Sequence, residues 1–318
     1  MSTKMNAAFI EEYGGPEKVI TGKLPKPEPG EGEVLVRIKA AGVNPVDAFI
    51  VQGLAKEALP AEFPAIPGWD MAGVVEENGH AARRFNPGDE VYAYVRRPII
   101  KHGTFAEYIA LPESYLSLRP QKISMEEAGG VPLVGLTAYQ SLFETGNLKE
   151  GQTILILGAS GGVGTFAIQL AKNIGANVIG VASEKNHSYM KELGADHTID
   201  YSKKHVGEAV SELTPDGVDF IYHCSRGDDF GQVMESGVLK NGGKIISITD
   251  SNPDISDDVD FSYVFVEPNA PQLEYLRELA EAGKLKAPVS KTYPLDGVSE
   301  ALSEILKLHT RGKIVITL

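Results

Sequence analysis

The chain has 318 residues, enough for a sizeable core and for about two domains. With 42% hydrophobic residues and a net charge of −13, it has the composition of a globular protein, which argues against general electrostatic attraction to nucleic acid or anionic membrane. Cys224 is the only cysteine, so an intramolecular disulfide framework and a thiolate zinc cage within one chain are both excluded.

The start, Met1 to Ile10, lacks the long apolar stretch of a signal peptide, and no later run reaches membrane-spanning length. A cytoplasmic protein with no membrane or nucleic-acid partner is therefore expected. From Met5 to about Tyr115 the chain alternates short β-like runs with Pro- and Gly-rich turns. Glu33–Lys39 and Asp89–Val95 are such runs, and Pro25–Gly32 and Asn86–Gly88 are such turns. This texture predicts an antiparallel barrel or sandwich.

From about Leu116 onward, strands alternate with helices. The apolar strand Thr153–Leu157 enters the turn Gly158–Gly164, a helical run Thr165–Lys172 follows, and a second strand, Asn177–Val181, comes next. Asp219–Tyr222, an amphipathic stretch near Phe230–Leu239, and Gly243–Ile248 continue the pattern that a parallel α/β sheet requires. Ser299–Leu308 reads as a helix and Lys313–Thr317 as a strand, both returning to the first domain.

Strand, glycine turn and helix in this order build a dinucleotide site. Glycines let the backbone approach a pyrophosphate, and the N–H groups and positive dipole end of the new helix hold its charge. The match is to a whole βαβ unit rather than to a bare spacing. About twenty residues past the glycines, an acidic side chain would bind the ribose of NAD. Here the chain reads Val181-Ala-Ser-Glu-Lys-Asn186, with Ser183 near that place and Lys185 supplying positive charge suited to the 2′-phosphate of NADP. Glu184, turned inward, would instead favour NAD. The plainer alternative makes Ser183 a helix N-cap and Lys185 a solvated first-turn residue.

Motifs along nearly the whole chain carry a family resemblance. They are Ala41–Asp47, Pro67–Val75, Gly103–Tyr108, Gly135–Tyr139, Ala159–Gly164, Leu193–Asp196, Ile199–Tyr201 and Gly312–Val315. In this order they resemble the zinc-independent quinone oxidoreductases of the medium-chain dehydrogenase/reductase superfamily, with their enone and alkenal reductase relatives. The resemblance implies a GroES-like β-barrel substrate domain (residues 1–115 and 290–318) around a Rossmann NADP-binding domain (residues 116–289), with NADPH and substrate meeting in the cleft between them. It also implies that Asn44, Asp47 and Thr137 surround the nicotinamide and its ribose, and that Tyr201 gives a hydroxyl to the 2′-phosphate. Phe265 and Val266 would line the same cleft. Ala159, Ser160, Gly161, Gly162 and Val163 form the pyrophosphate turn. Local alternatives are a turn-forming Asn-Pro at Asn44, a surface cap at Asp47, a helix N-cap at Thr137 and edge-strand core at Phe265.

Zinc is not expected. Related alcohol dehydrogenases have Cys after Gly-Val and His-Glu after the later Gly, whereas this chain has Asn44 and Trp69-Asp70. Neither Asn44 nor Trp69 can replace a thiolate or imidazole, and the seven histidines show no metal-binding spacing. After Tyr222 the chain departs from the family, with His223-Cys-Ser-Arg226 in place of an acidic residue and a glycine-rich turn. Cys224 and Ser225 are expected to pass the cofactor through backbone contacts. His223 reads better as a core histidine than as a catalytic one. Tyr92, Tyr94 and Tyr139 are possible proton donors, although each fits a packed aromatic.

The expected activity is NADPH-dependent hydride transfer to quinones or to the C=C bond of α,β-unsaturated ketones and aldehydes, driven largely by orientation in a dry cleft. The alternative is a nucleotide-binding, non-enzymatic protein of the same fold, regulatory or structural. A homodimer through the β-like edge Ser262–Val266 is a further expectation from the resemblance.

Overall fold

A computed structural model describes residues 3–318. They form two compact units. The first comprises the residues up to Leu133 with Glu267–Gly283 and Ala287–Leu318, and the second comprises Val134–Val266 with Lys284–Lys286.

The first unit is built on a seven-stranded sheet. Its main path runs Val289–Pro294, Lys313–Thr317, Glu33–Val43, Asp70–Asn78, Glu90–Tyr94 and Leu116–Leu118, with Tyr108–Pro112 also paired to Glu33–Val43. Pairing is antiparallel throughout except between Val289–Pro294 and Lys313–Thr317. The longest strand, Glu33–Val43, buries Val34, Leu35, Val36 and Ile38, leaves Arg37 exposed, and is then continuously buried from Ala40 to Val43. The C-terminal helix Val298–Ile305 and strand Lys313–Thr317 lie in this unit, with Ile314 opposite Val43 and Thr317 opposite Ala40.

This unit reaches past the boundary expected near residue 115, because Leu116–Leu118 pairs with Glu90–Tyr94 in the register Val91 to Leu118. It also takes in the helix Ala270–Glu281. Tyr92 donates its hydroxyl hydrogen bond to the Leu273 carbonyl, and Ser117 Oγ donates to Glu274 Oε2 at 2.8 Å. Neither contact has a local sequence signature.

The second unit holds a six-stranded, all-parallel sheet in the order His197–Ile199, Asn177–Val181, Thr153–Leu157, Val218–His223, Leu239–Ser247, Asp260–Tyr263. Numbered by sequence this is 3-2-1-4-5-6, the Rossmann order. Thr153–Leu157 is apolar without alternation because helices cover both faces of such a sheet, and Ile154 to Leu157 are fully buried. Lys284–Lys286 is tied in here by hydrogen bonds: Gln169 accepts from Lys286 N (2.7 Å) and donates to its carbonyl (3.0 Å), and Asn173 donates to Lys284 O (3.0 Å).

The expected edge strand Ser262–Val266 is shifted. The strand is Asp260–Tyr263, at one end of the sheet, and Val264 adds one more bond to Ser247 O. No helix among the described residues is long and apolar enough to cross a membrane.

Candidate functional site

In the second unit the first strand ends at Leu157 and the chain turns through Gly158, whose φ of +76° suits glycine alone. A Cβ at Gly158 would stand 3.1 Å from the Cys224 carbonyl carbon and the Ser225 nitrogen. The turn and the Cys224–Ser225 segment are therefore adjacent, and Cys224 N–H donates to Leu157 O at 3.1 Å. The helix runs Gly162–Asn173 with Gly161 at its N-cap, so it begins three residues before the expected Thr165. Gly164 is buried against the turn, where a Cβ would meet Ala159 Cα and Gly158 O at 2.6 Å. The first-turn N–H groups of this twelve-residue helix have no intrahelical acceptor and fit an anionic pyrophosphate.

Asn186, which the sequence reading did not single out, connects the two ends of this cradle. Its Nδ2 donates to Ser160 Oγ at 3.0 Å and to Ser183 Oγ at 3.3 Å. Ser183 does stand at the N-cap of a short 3-10 turn, Glu184–Asn186, but its side chain makes no capping bond. The exposed Glu184 carboxylate is engaged by Lys203, which also raises the Lys203 ammonium above its ordinary range. Lys185 is exposed, and Tyr201 is 47% exposed.

Thr137 lies inside the helix Pro132–Tyr139, so an N-cap role is excluded, and its carbonyl accepts from Tyr222 OH at 3.4 Å. Phe265 is exposed and Val266 buried, both just past the last parallel strand. His223 is a core histidine: it is 5% exposed, stacked flat on Phe230 at 4.2 Å, with Nδ1 3.1 Å from Ser247 Oγ. Burial pushes its pKa down and the Cys224 thiol well up, so neither group is primed for acid or nucleophilic chemistry.

The first unit holds Asn44 and Asp47 in a buried polar cluster whose other members are Asp70 and Lys313. Asn44 is the N-cap of the helix Pro45–Val51, in a capping box with Asp47. Asn44 Oδ1 accepts from Lys313 Nζ at 2.5 Å, and Nδ2 donates to Asp70 Oδ2 at 2.9 Å. Lys313 Nζ also donates to Val43 O at 3.1 Å and stands 3.4 Å from Asp70 Oδ2, closing a triangle. Asp70 Oδ1 accepts from Leu133 N at 2.6 Å.

Asp47 accepts from Asn44 N–H at 2.8 Å through Oδ2, so it is a cap, though a fully buried one rather than the surface cap considered above. Its Oδ1 makes no hydrogen bond, nor does the buried Tyr94 hydroxyl, and Trp69 packs edge-on against the Tyr94 ring at 5.9 Å. Burial, reinforced by the Asp70 carboxylate, raises Asp47 to about 7 against the opposing Asn44 N–H and Lys313. Asp70 is also raised by burial, with Lys313 and Asn44 opposing, while burial lowers Lys313 against the pull of both carboxylates.

Where the zinc relatives have their Cys and His, this chain thus has an amide locked by an ion pair and a buried indole. Among the described residues, no group of three His, Cys, Asp or Glu side chains could hold a metal ion.

Comparison with known proteins agrees with both halves. Residues 30–121 match the model described as alcohol dehydrogenase GroES-like domain, and residues 193–316 match that described as zinc-binding dehydrogenase. A spinach (Spinacia oleracea) protein named quinone-oxidoreductase homolog, chloroplastic, is 33% identical over 98% of each chain. The Arabidopsis thaliana NADPH-dependent alkenal/one oxidoreductase, chloroplastic, is 34% identical over 98% of this chain and 79% of its own. The structure of the quinone oxidoreductase from Coxiella burnetii superposes with a TM-score of 0.88 at 29% identity, covering 99% of this chain and all of that one. The chain belongs to the medium-chain dehydrogenase/reductase superfamily and is an oxidoreductase that uses a nicotinamide cofactor.

Proposed function

We propose that the protein is an NADPH-dependent, zinc-independent reductase of quinones or of the C=C bond of α,β-unsaturated ketones and aldehydes. The observation that carries this reading is the cradle of the second unit, where Asn186 ties Ser160 to Ser183 and the neighbouring Glu184 is engaged by Lys203. A bound nicotinamide supplies the hydride. The turn Ala159–Val163 and the helix N-terminus hold the pyrophosphate, with Cys224 and Ser225 beside them. Ser183, Lys185 and Tyr201 take the 2′-phosphate, and Asn186 keeps Ser160 and Ser183 in register. Asn44, Asp47 and Thr137 position the reactive end, and Phe265 and Val266 line the site. With no three-ligand cluster among the described residues to hold a Lewis acid, substrates that are already electrophilic are favoured. The exposed Tyr263 and Phe265 beside the sheet edge support a homodimer.

An NADPH oxidation screen across quinones, enones, alkenals and simple ketones, run with and without chelator, tests this. Turnover restricted to quinones or conjugated carbonyls and indifferent to chelator is expected. Tight NADPH binding with no turnover would favour a non-enzymatic role, and activity lost with one zinc per chain would overturn the metal-free chemistry.

The phosphate end has its own test. NADPH should bind at least about tenfold more tightly than NADH, as charge-assisted bonds to one extra phosphate would give. Lys185→Glu should erase most of that difference by weakening NADPH alone. Equal affinities in the unmodified protein, measured by cofactor fluorescence, would reverse the assignment.

A further inference from the structure

We propose that Lys313 is a positioning residue of the reductase site: it fixes the Asn44 amide between itself and Asp70, and its ammonium is shared by the buried carboxylates Asp70 and Asp47. The inference rests on the reading above only in taking Asn44 to hold the reactive end of the cofactor. The amide has one permitted orientation. Flipped, its NH2 would face an ammonium that has only donors and its oxygen would face a carboxylate that only accepts. Locked as it is, the amide keeps its Oδ1 toward the ammonium and its Nδ2 toward the Asp70 carboxylate.

Charge counting carries the argument further. The ionisable groups facing this cluster are Asp47 on the Pro45–Val51 helix, Asp70 on its strand, Lys313 on the last strand, and Tyr94, which burial keeps neutral. One cation therefore serves two carboxylates, and Asp70 lies against it. Asp47, whose Oδ2 is occupied by the Asn44 N–H, has only Oδ1 left for a proton. Lys313 thus governs both the direction of the amide and the protonation of the Asp47–Asp70 pair, although it touches neither cofactor nor substrate in this role.

The test compares Lys313→Met, Lys313→Gln and Lys313→Arg with the unmodified enzyme on whichever quinone or enone it reduces best. Lys313→Met should lower kcat at least about tenfold while KM for NADPH changes less than about twofold, since the phosphate-binding groups lie elsewhere. The pH midpoint of kcat should rise by about one unit, because the carboxylate pair loses its counter-charge. Lys313→Arg should restore the midpoint. Lys313→Gln, which keeps a donor without charge, should shift the midpoint while losing less kcat, and it takes the place of the Met variant if that fails to fold.

An unchanged pH profile with a uniform loss of rate, or a loss confined to KM, would overturn the proposal. If the unmodified protein reduces no compound in the panel, it is the reductase reading that falls. The role of Lys313 is then judged by the Asn44 side-chain NH2 signals in nitrogen-resolved NMR. Slow exchange in the unmodified protein and fast exchange in Lys313→Gln support it, and identical exchange in both overturns it.

Discussion

Lys313→Met is expected to destabilise the protein by about 3 to 5 kcal/mol, the usual cost of removing one partner of a buried ion pair and leaving the other charge behind. Lys313 is 3% exposed and Asp70 is fully buried, so water cannot substitute for the missing ammonium. The loss should appear as a lower urea midpoint with an unchanged slope, because the surface exposed on unfolding is nearly the same. Replacing both partners, in Lys313→Met with Asp70→Leu, should recover part of the loss. Recovery stays incomplete because Asp70 also accepts from Leu133 N and Asn44 Nδ2, and two donors would lose their acceptor. A fall of less than about 1 kcal/mol in the single variant, the range of an exposed pair, would show that the cluster is hydrated.

Gly162→Val should weaken NADPH binding by about 10- to 100-fold or more, the equivalent of one or two charge-assisted hydrogen bonds. Gly162 is the first residue of the helix, where a branched side chain would occupy space meant for phosphate oxygens. The melting midpoint without cofactor should barely move. Gly164→Val makes the contrast: there the added atoms strike the backbone of Ala159 at 2.6 Å, so stability itself should fall. Fluorescence titration with NADPH and calorimetry of the cofactor-free protein separate the two effects. A folded Gly162→Val protein that binds and turns over NADPH normally would remove the pyrophosphate from this turn.

Local signals carried much of the second unit. The unbroken apolar run Thr153–Leu157, the glycine turn and the following helix are consecutive, so their physics is contained in some twenty residues. The helix was misjudged at its start because Gly162 and Gly164 read as turn residues, yet both are helical. Asn186 went unnoticed because a single Asn carries no pattern, and its partner Ser160 lies 26 positions away.

The first unit was legible only as a texture of short strands. The pairing of Lys313 with Asn44 spans 269 positions, and a lysine in a Gly-Lys-Ile-Val run reads by default as a solvated residue. Asp47 illustrates the same limit. Its place three residues after Asn44 suits a cap, but its complete burial is decided by sheets assembled from distant segments.

The place of Lys313–Thr317 within the sheet has a consequence for the order of assembly. This strand separates Val289–Pro294 from Glu33–Val43, so a chain emerging N-terminus first leaves the Ala40–Val43 end of one edge open until Lys313–Thr317 has been synthesised, while Tyr108–Pro112 covers Glu33–Arg37. The six parallel strands of the second unit, complete by Tyr263, can close long before that. In the interval Asp70 lacks its ammonium and stays hydrated, and the strand that awaits Lys313–Thr317 is a template for another chain's edge. The polar cluster is thus complete only once Lys313–Thr317 has paired, and nascent chains stalled before residue 313 carry an uncovered strand end beside an unpaired Asp70.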